Sequence, residues 1–336
     1  MKEVQYINYA KGIGIALVVL GHIGFLEQYI YAFHMPFFFF LSGFLLSNIE
    51  KKKTKRFVND KVKRLLIPYF SFSIVSFLYW LCIEKNLRSV AIKPTKAFMN
   101  ILFPSVGDKY VYNVPLWFLI ALFITIILVF LAIKYIKNKY ILLILSLLLF
   151  ICIGNNPHPR FFELSIALSG GQFFLLLGFF SREIIGKDLK SLQNKSDKYL
   201  VITLFVSLLC IILFAKVNHF EISMMSNHYG NLFYATFSSI SGIVFLFSLS
   251  LLLNNWSSNL SLLNTLGKDS LFIMGVHEPI KRVVIFLLSK ITHIQEDVLR
   301  NTCLYALTIL VLVLMLSLFL KRLIPKPCKK YFSLYK

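Results

Sequence analysis

The run ILLILSLLLFICI, residues 141–153, decides the fold class. A transmembrane strand alternates apolar and polar residues over segments of about ten, and this run does not alternate. A spanning helix needs roughly 20 mostly apolar residues, with a usable range of about 17–25. Reading outward between charge clusters gives about ten such segments, near 8–26, 30–49, 65–83, 115–133, 140–155, 163–181, 199–216, 232–254, 269–289 and 302–320. The fifth is short and is expected to tilt little or to thin the bilayer locally. The fold expected is all-α, a polytopic membrane protein of about ten transmembrane helices.

Composition agrees. Of 336 residues, 57% are hydrophobic and 15% charged, with a mean hydropathy of +0.73. Soluble domains run at about 45–50% apolar and about 25% charged. With 15 Gly, 10 Pro and 5 Cys, the collagen-like, disordered and disulfide-scaffold classes are excluded. The net charge of +21 would point to nucleic acid on a soluble chain. Here about two-thirds of the Lys and Arg fall on the side that holds both termini, as in Lys51, Lys52, Lys53, Lys55 and Arg56. That bias predicts cytoplasmic termini, an even number of spans and no nucleic-acid partner. The first segment shows no small-residue cleavage site and is expected to be an uncleaved anchor. Cys82, Cys152, Cys210, Cys303 and Cys328 are scattered without CxxC spacing, so no metal site or disulfide framework is expected. No repeat or linker divides the chain, and residues 1–336 read as one membrane domain. The inner loop near 50–64 and the outer loop near 84–114 are too short to be domains.

Ionisable groups inside apolar segments are costly and mark where chemistry is to be sought. The first segment contains KGIGIALVVLGH, residues 11–22. Eleven residues at ~100° each return Lys11 and His22 to within ~20° of one face, ~16 Å apart along the axis. Gly14 and Gly21 lie a heptad apart near that stripe and would admit another backbone or a ligand. Lys11 also fits a snorkelling interfacial lysine, and His22 a histidine hydrogen-bonded between helices.

The second segment opens FHMPFFFFLSGF, residues 33–44, after a short turn. His34 should therefore lie at the depth of His22. Two imidazoles under an aromatic wall suit general acid/base work, with a reference pKa of about 6.5. Pro36 should free a backbone carbonyl. Ser42 is a further candidate for lining the site. The cations Lys61, Lys63 and Arg64 cluster in KVKRLLIPY, residues 61–69. They read either as topology and anionic-lipid contact or as a phosphate clamp. Trp117, in PLWFLIALF (115–123), is an interfacial anchor or a site-lining residue. LGKDSLFIMGVHEPI, residues 266–280, places His277 and Glu278 near mid-membrane, and Glu278 can pair with Lys281 or Arg282 one turn on.

Together these segments resemble the acyltransferase 3 family of integral-membrane O-acyltransferases, nearest the branch with fucose 4-O-acetylase-like and capsule or O-antigen acetylating members. Lys11 and His22 match its Arg/Lys-X10-His motif, and the other four segments follow in the family's order. The resemblance covers essentially the whole chain. It implies a cytoplasmic acyl-CoA donor, usually acetyl-CoA, as a substrate with no bound cofactor. It also implies a sugar-hydroxyl acceptor on a capsule, O-antigen or related envelope polysaccharide, and a multi-pass protein of the bacterial cytoplasmic (inner) membrane. His22 is implied as the catalytic histidine, Lys11 as its motif partner and His34 as a second acid/base or hydrogen-bonding group. Arg64 and Lys61, with Lys63, stand where the family is proposed to hold the CoA phosphates, Lys61 replacing a common arginine. The C-terminal soluble domain of some relatives is not expected. Polar groups near the midplane also suit a transporter or flippase of glycan intermediates. A scaffold within an envelope-assembly complex is a third reading, in which substitutions of His22 and Arg64 are silent.

Overall fold

The computed structural model describes residues 4–46, 49–87, 92–102, 112–156, 162–185, 196–219, 221–257 and 260–334. Among these residues the chain is helical, with no strand beyond an isolated Ser223–His228 bridge. The helices are α1 (Gln5–Ile23), α2 (Glu27–Tyr31), α3 (His34–Phe44), α4 (Thr54–Glu84), α5 (Pro94–Leu102), α6 (Val114–Tyr135) and α7 (Lys139–Ile153). There follow α8 (Glu163–Ile184), α9 (Asp197–Val217), α10 (Leu232–Trp256), α11 (Ser261–Lys268), α12 (Ser270–Thr292) and α13 (Cys303–Leu323). Seven of these, α1, α4, α6, α8, α9, α10 and α13, are long and apolar enough to cross a membrane.

The remaining expected segments depart from full spans for physical reasons. The second holds only the 11 residues of α3, about 16 Å at 1.5 Å per residue, against a hydrocarbon core of about 30 Å. The fifth, α7, is apolar but 15 residues long. The ninth, α12, has 23 residues and carries His277, Glu278, Lys281 and Arg282. The inner loop expected near 50–64 is helical from Thr54, because Phe57 buries its ring against Phe130 at a centroid distance of 4.2 Å. Of the outer loop expected near 84–114, residues 88–91 and 103–111 lie outside the described residues, and α5 lies between them.

Asparagine side chains start two of the helices. The Asn138 side chain accepts from the Tyr140 and Ile141 amides, and Asn231 does the same for Phe233 and Tyr234, which satisfies otherwise orphaned donors. On α9 and α13, large apolar residues such as Leu209 (66% exposed) and Leu304 (71% exposed) point away from the protein. So much contiguous apolar surface is what a lipid-facing perimeter presents.

The interior is set by glycines and prolines. α1 packs against α11, α10, α12 and α13, and α3 packs against α8. A methyl group added at Gly43 would overlap the Leu175 carbonyl, and one at Gly178 the Phe40 carbonyl. The pair Gly12 and Gly267 does the same between α1 and α11, against Leu263 and Asn8. At both crossings backbone meets backbone. The heptad pair Gly14 and Gly21 meets side chains instead, Phe37 and Phe38 at the first and Tyr31 and Ile30 at the second. Pro36 and Pro279 have no N–H, so the carbonyls four residues back, Ala32 and Gly275, lose their helical donors. Ser239 of α10 donates to Ala32 at 2.6 Å, and the Asn113 side chain donates to Gly275 at 2.7 Å. Each proline thus ties its helix to a neighbour beside the same cavity.

Candidate active site

A cavity of about 140 Å³ lies where α1, α2, α3, α6, α12 and the 221–229 loop meet. His22, Tyr31, His34, Trp117 and Glu278 give it polar or aromatic walls, and Val18, Met35, Met224, Met225 and Met274 give it apolar ones.

Three helices contribute one imidazole each. His34 stands at the first position of α3, and its Nδ1 lies 2.8 Å from the Ile30 carbonyl. His277, fully buried on α12, places Nδ1 3.1 Å from the Ile273 carbonyl and 3.0 Å from that of Met274. A carbonyl only accepts, so in both rings Nδ1 carries the proton and Nε2 keeps a basic lone pair. The Nε2 of His277 has no hydrogen-bond partner among the described residues. The His22 ring lies 5.2 Å from that of His277, centroid to centroid, and its Nδ1 is 3.5 Å from the Tyr31 hydroxyl. Tyr31 stands between the two cavity histidines, its ring centroid 4.9 Å from His34 and 5.9 Å from His22.

Charge behind the cavity is balanced. Glu278 accepts from Lys281 at 2.8 Å through one oxygen and from Arg282 at 3.0 Å through the other, so it pairs with both of its expected partners. Arg282 also reaches Glu84 at the end of α4, at 2.9 Å. Lys281 spends a second donor on the His22 carbonyl, at 2.7 Å, and so anchors the last turn of α1. Two acids and two bases form one buried network, in which each charge keeps charged partners. His22, His277 and Glu278 also offer metal-type ligand atoms within 4.8 Å of one another, a grouping that sequence spacing did not foresee. With both Glu278 oxygens held by cations, this donor set reads as an ion-paired support for two imidazoles.

The other expected site residues divide. Trp117 is 3% exposed and lines the cavity, so it is not an interfacial anchor. Ser42 donates to the Phe38 carbonyl of its own helix at 2.7 Å and does not line the cavity, so that expectation is corrected. The hydroxyl is consumed by back-bonding one turn down. Lys11 lies on α1 about 16 Å along the axis from His22 and is half-buried outside the cavity lining. Lys61 lies over the Phe57 ring at 5.3 Å, and Lys63 and Arg64 are exposed in a widened turn of α4. From Arg64 to Glu84 is about 30 Å of helix rise, so the basic cluster and the histidines occupy opposite ends of α4.

The sequence did not single out Tyr31 or the loop that closes the cavity with Ile222, Ser223, Met224 and Met225. Its signal was a density of asparagines around that loop. Asn155 accepts from the Tyr229 amide at 2.6 Å, Asn218 donates to the Tyr229 carbonyl at 2.9 Å, and Asn227 donates to the Ile153 carbonyl at 2.8 Å. The loop is thereby stitched down as firmly as a secondary-structure element.

A family model described as an acyltransferase domain matches residues 4–321. Over 137 residues the chain is 31% identical to nodulation protein NolL of Mesorhizobium japonicum, covering 36% of this chain and 34% of that protein. The chain thus spans about a third of the length of that relative. No solved structure matches the chain. With the family model covering nearly all of a multi-pass helical chain in which His22 and His34 line one cavity, the protein belongs to the acyltransferase 3 family.

Proposed function

We propose that this chain is a membrane O-acetyltransferase. It moves an acetyl group from cytoplasmic acetyl-CoA to a hydroxyl of a cell-envelope or capsular polysaccharide sugar, in the bacterial inner membrane. The observation that carries the reading is the convergence of His22, His34 and His277 beside one cavity, in a chain of an acyltransferase family.

A sugar hydroxyl is a poor nucleophile at neutral pH and needs a base within hydrogen-bond reach. His22 is assigned that role. The hydroxyl oxygen bonds to the acyl carbon, the carbon–sulfur bond breaks, and the hydroxyl proton passes to the imidazole and on to the leaving thiolate. His34, whose Nε2 keeps its basic lone pair, receives or orients the acceptor hydroxyl. Trp117 and the methionines close the apolar side of the cavity, which suits an acyl group.

The donor is proposed to enter at the basic end. Arg64, Lys61 and Lys63 take the CoA phosphates, and Lys11, about halfway along the bundle, follows the thioester inward. Both termini are assigned to the cytoplasm. α1 and α4 run in the same direction, with His22 and Glu84 at the same end, so the chain between them has to return across the bundle. The short α3 lies within that return, and this supports ten crossings in all.

The test is His22→Ala and His34→Ala in membranes supplied with acetyl-CoA and the native glycan. Loss of glycan acetylation at normal expression is the expected result, and retained acetylation overturns the assignment. In the same preparation, Arg64→Ala raises the KM for acetyl-CoA at least fivefold with kcat little changed.

A further inference from the structure

Lys281 holds His22 through its backbone carbonyl and not through its ring. A general base must also present one particular nitrogen, which requires a partner for the other. The ring nitrogen with a partner is Nδ1, at 3.5 Å from the Tyr31 hydroxyl, a long contact of the kind that tightens when substrate binds. The Glu27 carboxyl stands one turn back from Tyr31 on α2 and interacts with it electrostatically. α2 begins just after α1 ends, with Gly24 and Leu26 in left-handed conformations that turn the chain back on itself. That turn folds Tyr31 over Gly21, where the missing side chain makes room for its ring.

We propose that Glu27, Tyr31 and His22 form an orienting chain, in which Tyr31 is a positioning residue for the catalytic imidazole. Resting on the acyltransferase reading, it assigns the tautomer of His22. Tyr31 donates its hydroxyl proton to Glu27 and accepts from Nδ1–H of His22, leaving Nε2 to take the proton of the acceptor hydroxyl. The imidazolium that forms is stabilised through Tyr31 by the carboxylate beyond it, a two-link version of the carboxylate–histidine pairing in nucleophile-activating triads. Both added residues come from the five-residue helix α2, between α1 and α3.

The other charged and titratable groups facing this chain fit the assignment. His277, Glu278 and Lys281 face His22 from α12, and His34 faces it from α3. Glu278 is committed to Lys281 and Arg282. His277 and His34 both use Nδ1–H on backbone carbonyls. Tyr31 is therefore the group placed to accept from the His22 ring at Nδ1. Glu27 faces Glu221 of the loop as well as Tyr31 and Lys281. Burial first, and then the neighbouring Glu221, raise its carboxyl above the usual value, as expected of an acid held in a site.

The experiment reads the His22 ring directly, without substrate. Diethyl pyrocarbonate carbethoxylates unprotonated imidazole, and peptide mass spectrometry over a pH series gives the pH of half-maximal labelling at each histidine. The exposed His293, the residue that ends α12, is the internal control. In the full-length protein in detergent, Tyr31→Phe is expected to displace the His22 midpoint toward acid by half a unit or more, about a threefold change in reactivity at fixed pH. Glu27→Gln, which removes the carboxylate without disturbing packing, moves it the same way by less, and His293 stays in place. A His22 profile unchanged in Glu27→Gln and in a folded Tyr31→Phe overturns the proposal. Turnover is followed separately as thiol release from acetyl-CoA. Tyr31→Phe is expected to lower kcat at least tenfold with KM within twofold, and unaltered kcat also overturns it. Absence of turnover in the unsubstituted protein counts against the acyltransferase reading alone, and the labelling profile still decides the orienting chain.

Discussion

Lys281 gives the sharpest test of how the site is held. Its ammonium is buried, 2.8 Å from a Glu278 oxygen and 2.7 Å from the His22 carbonyl. Lys281→Met keeps the length and the apolar stem while removing both interactions. Breaking a buried ion pair from one side costs about 3–5 kcal/mol, because the partner charge is left desolvated. Arg282 still holds the other oxygen of Glu278, which places the expectation at the low end, about 3 kcal/mol. At about 2.1 cal/mol/K per residue, the 336 residues convert that into a fall in Tm of about 4 °C. The assay is thermal unfolding in detergent followed by tryptophan fluorescence, since Trp80 and Trp117 are both buried in the bundle. The double variant Glu278→Gln/Lys281→Met separates charge from packing. If the cost is an orphaned carboxylate, the double variant recovers at least half of the loss, a coupling of more than about 1 kcal/mol. A single variant within about 1 °C of the parent, or a double variant that falls by the sum of the two singles, refutes the reasoning.

Other outcomes follow from the same structure. Gly178→Ala presses a methyl group onto the Phe40 carbonyl; overpacking of this kind costs about 1–3 kcal/mol, and Tm measured in the same detergent should fall while Leu177→Ala, next in sequence, is better tolerated. Asn113→Ala leaves the Gly275 carbonyl without its donor beside Pro279, a loss of about 1–3 kcal/mol to be read as a lower unfolding midpoint in denaturant. Glu27→Gln tests linkage. A carboxyl whose folded pKa is raised stabilises the fold below its unfolded pKa and loses that contribution as pH rises through the folded value. The variant should therefore match or exceed the parent in Tm at pH 7.5 and lose that advantage near pH 4.5, which a pH series of melts will show.

Much of this was legible in the sequence because it is periodic. The eleven-residue spacing of Lys11 and His22 sits on one uninterrupted helix, α1. The short turn before FHMP does place His34 beside the same cavity, and His277 does face the interior. What periodicity did not carry was length against charge. α3 stops after 11 residues, and α12 holds its charges because Glu84, from a distant helix, completes their pairing. Long-range partners leave no local pattern. Ser42 shows the reverse error, since a polar residue on an apolar helix looked functional and was satisfied by its own backbone. The 221–229 loop was missed because its order comes from asparagine side chains reaching carbonyls and amides up to about 75 positions away.

The reciprocal glycine crossings carry a consequence for how the histidines can move. Where two helices touch through side chains, rotamers let them slide by fractions of an ångström. Where Gly43 lies on the Leu175 carbonyl and Gly178 on the Phe40 carbonyl, no side chain can give way, and a shift of one residue would bring Phe44 or Ser42 into a space sized for hydrogen. The same holds for Gly12 and Gly267 under α1. The depth of His22 and that of His34 are thus set by two notches, each of which admits one position. Each imidazole is thereby held at one level of its own helix pair, that of His22 on α1 against α11 and that of His34 on α3 against α8.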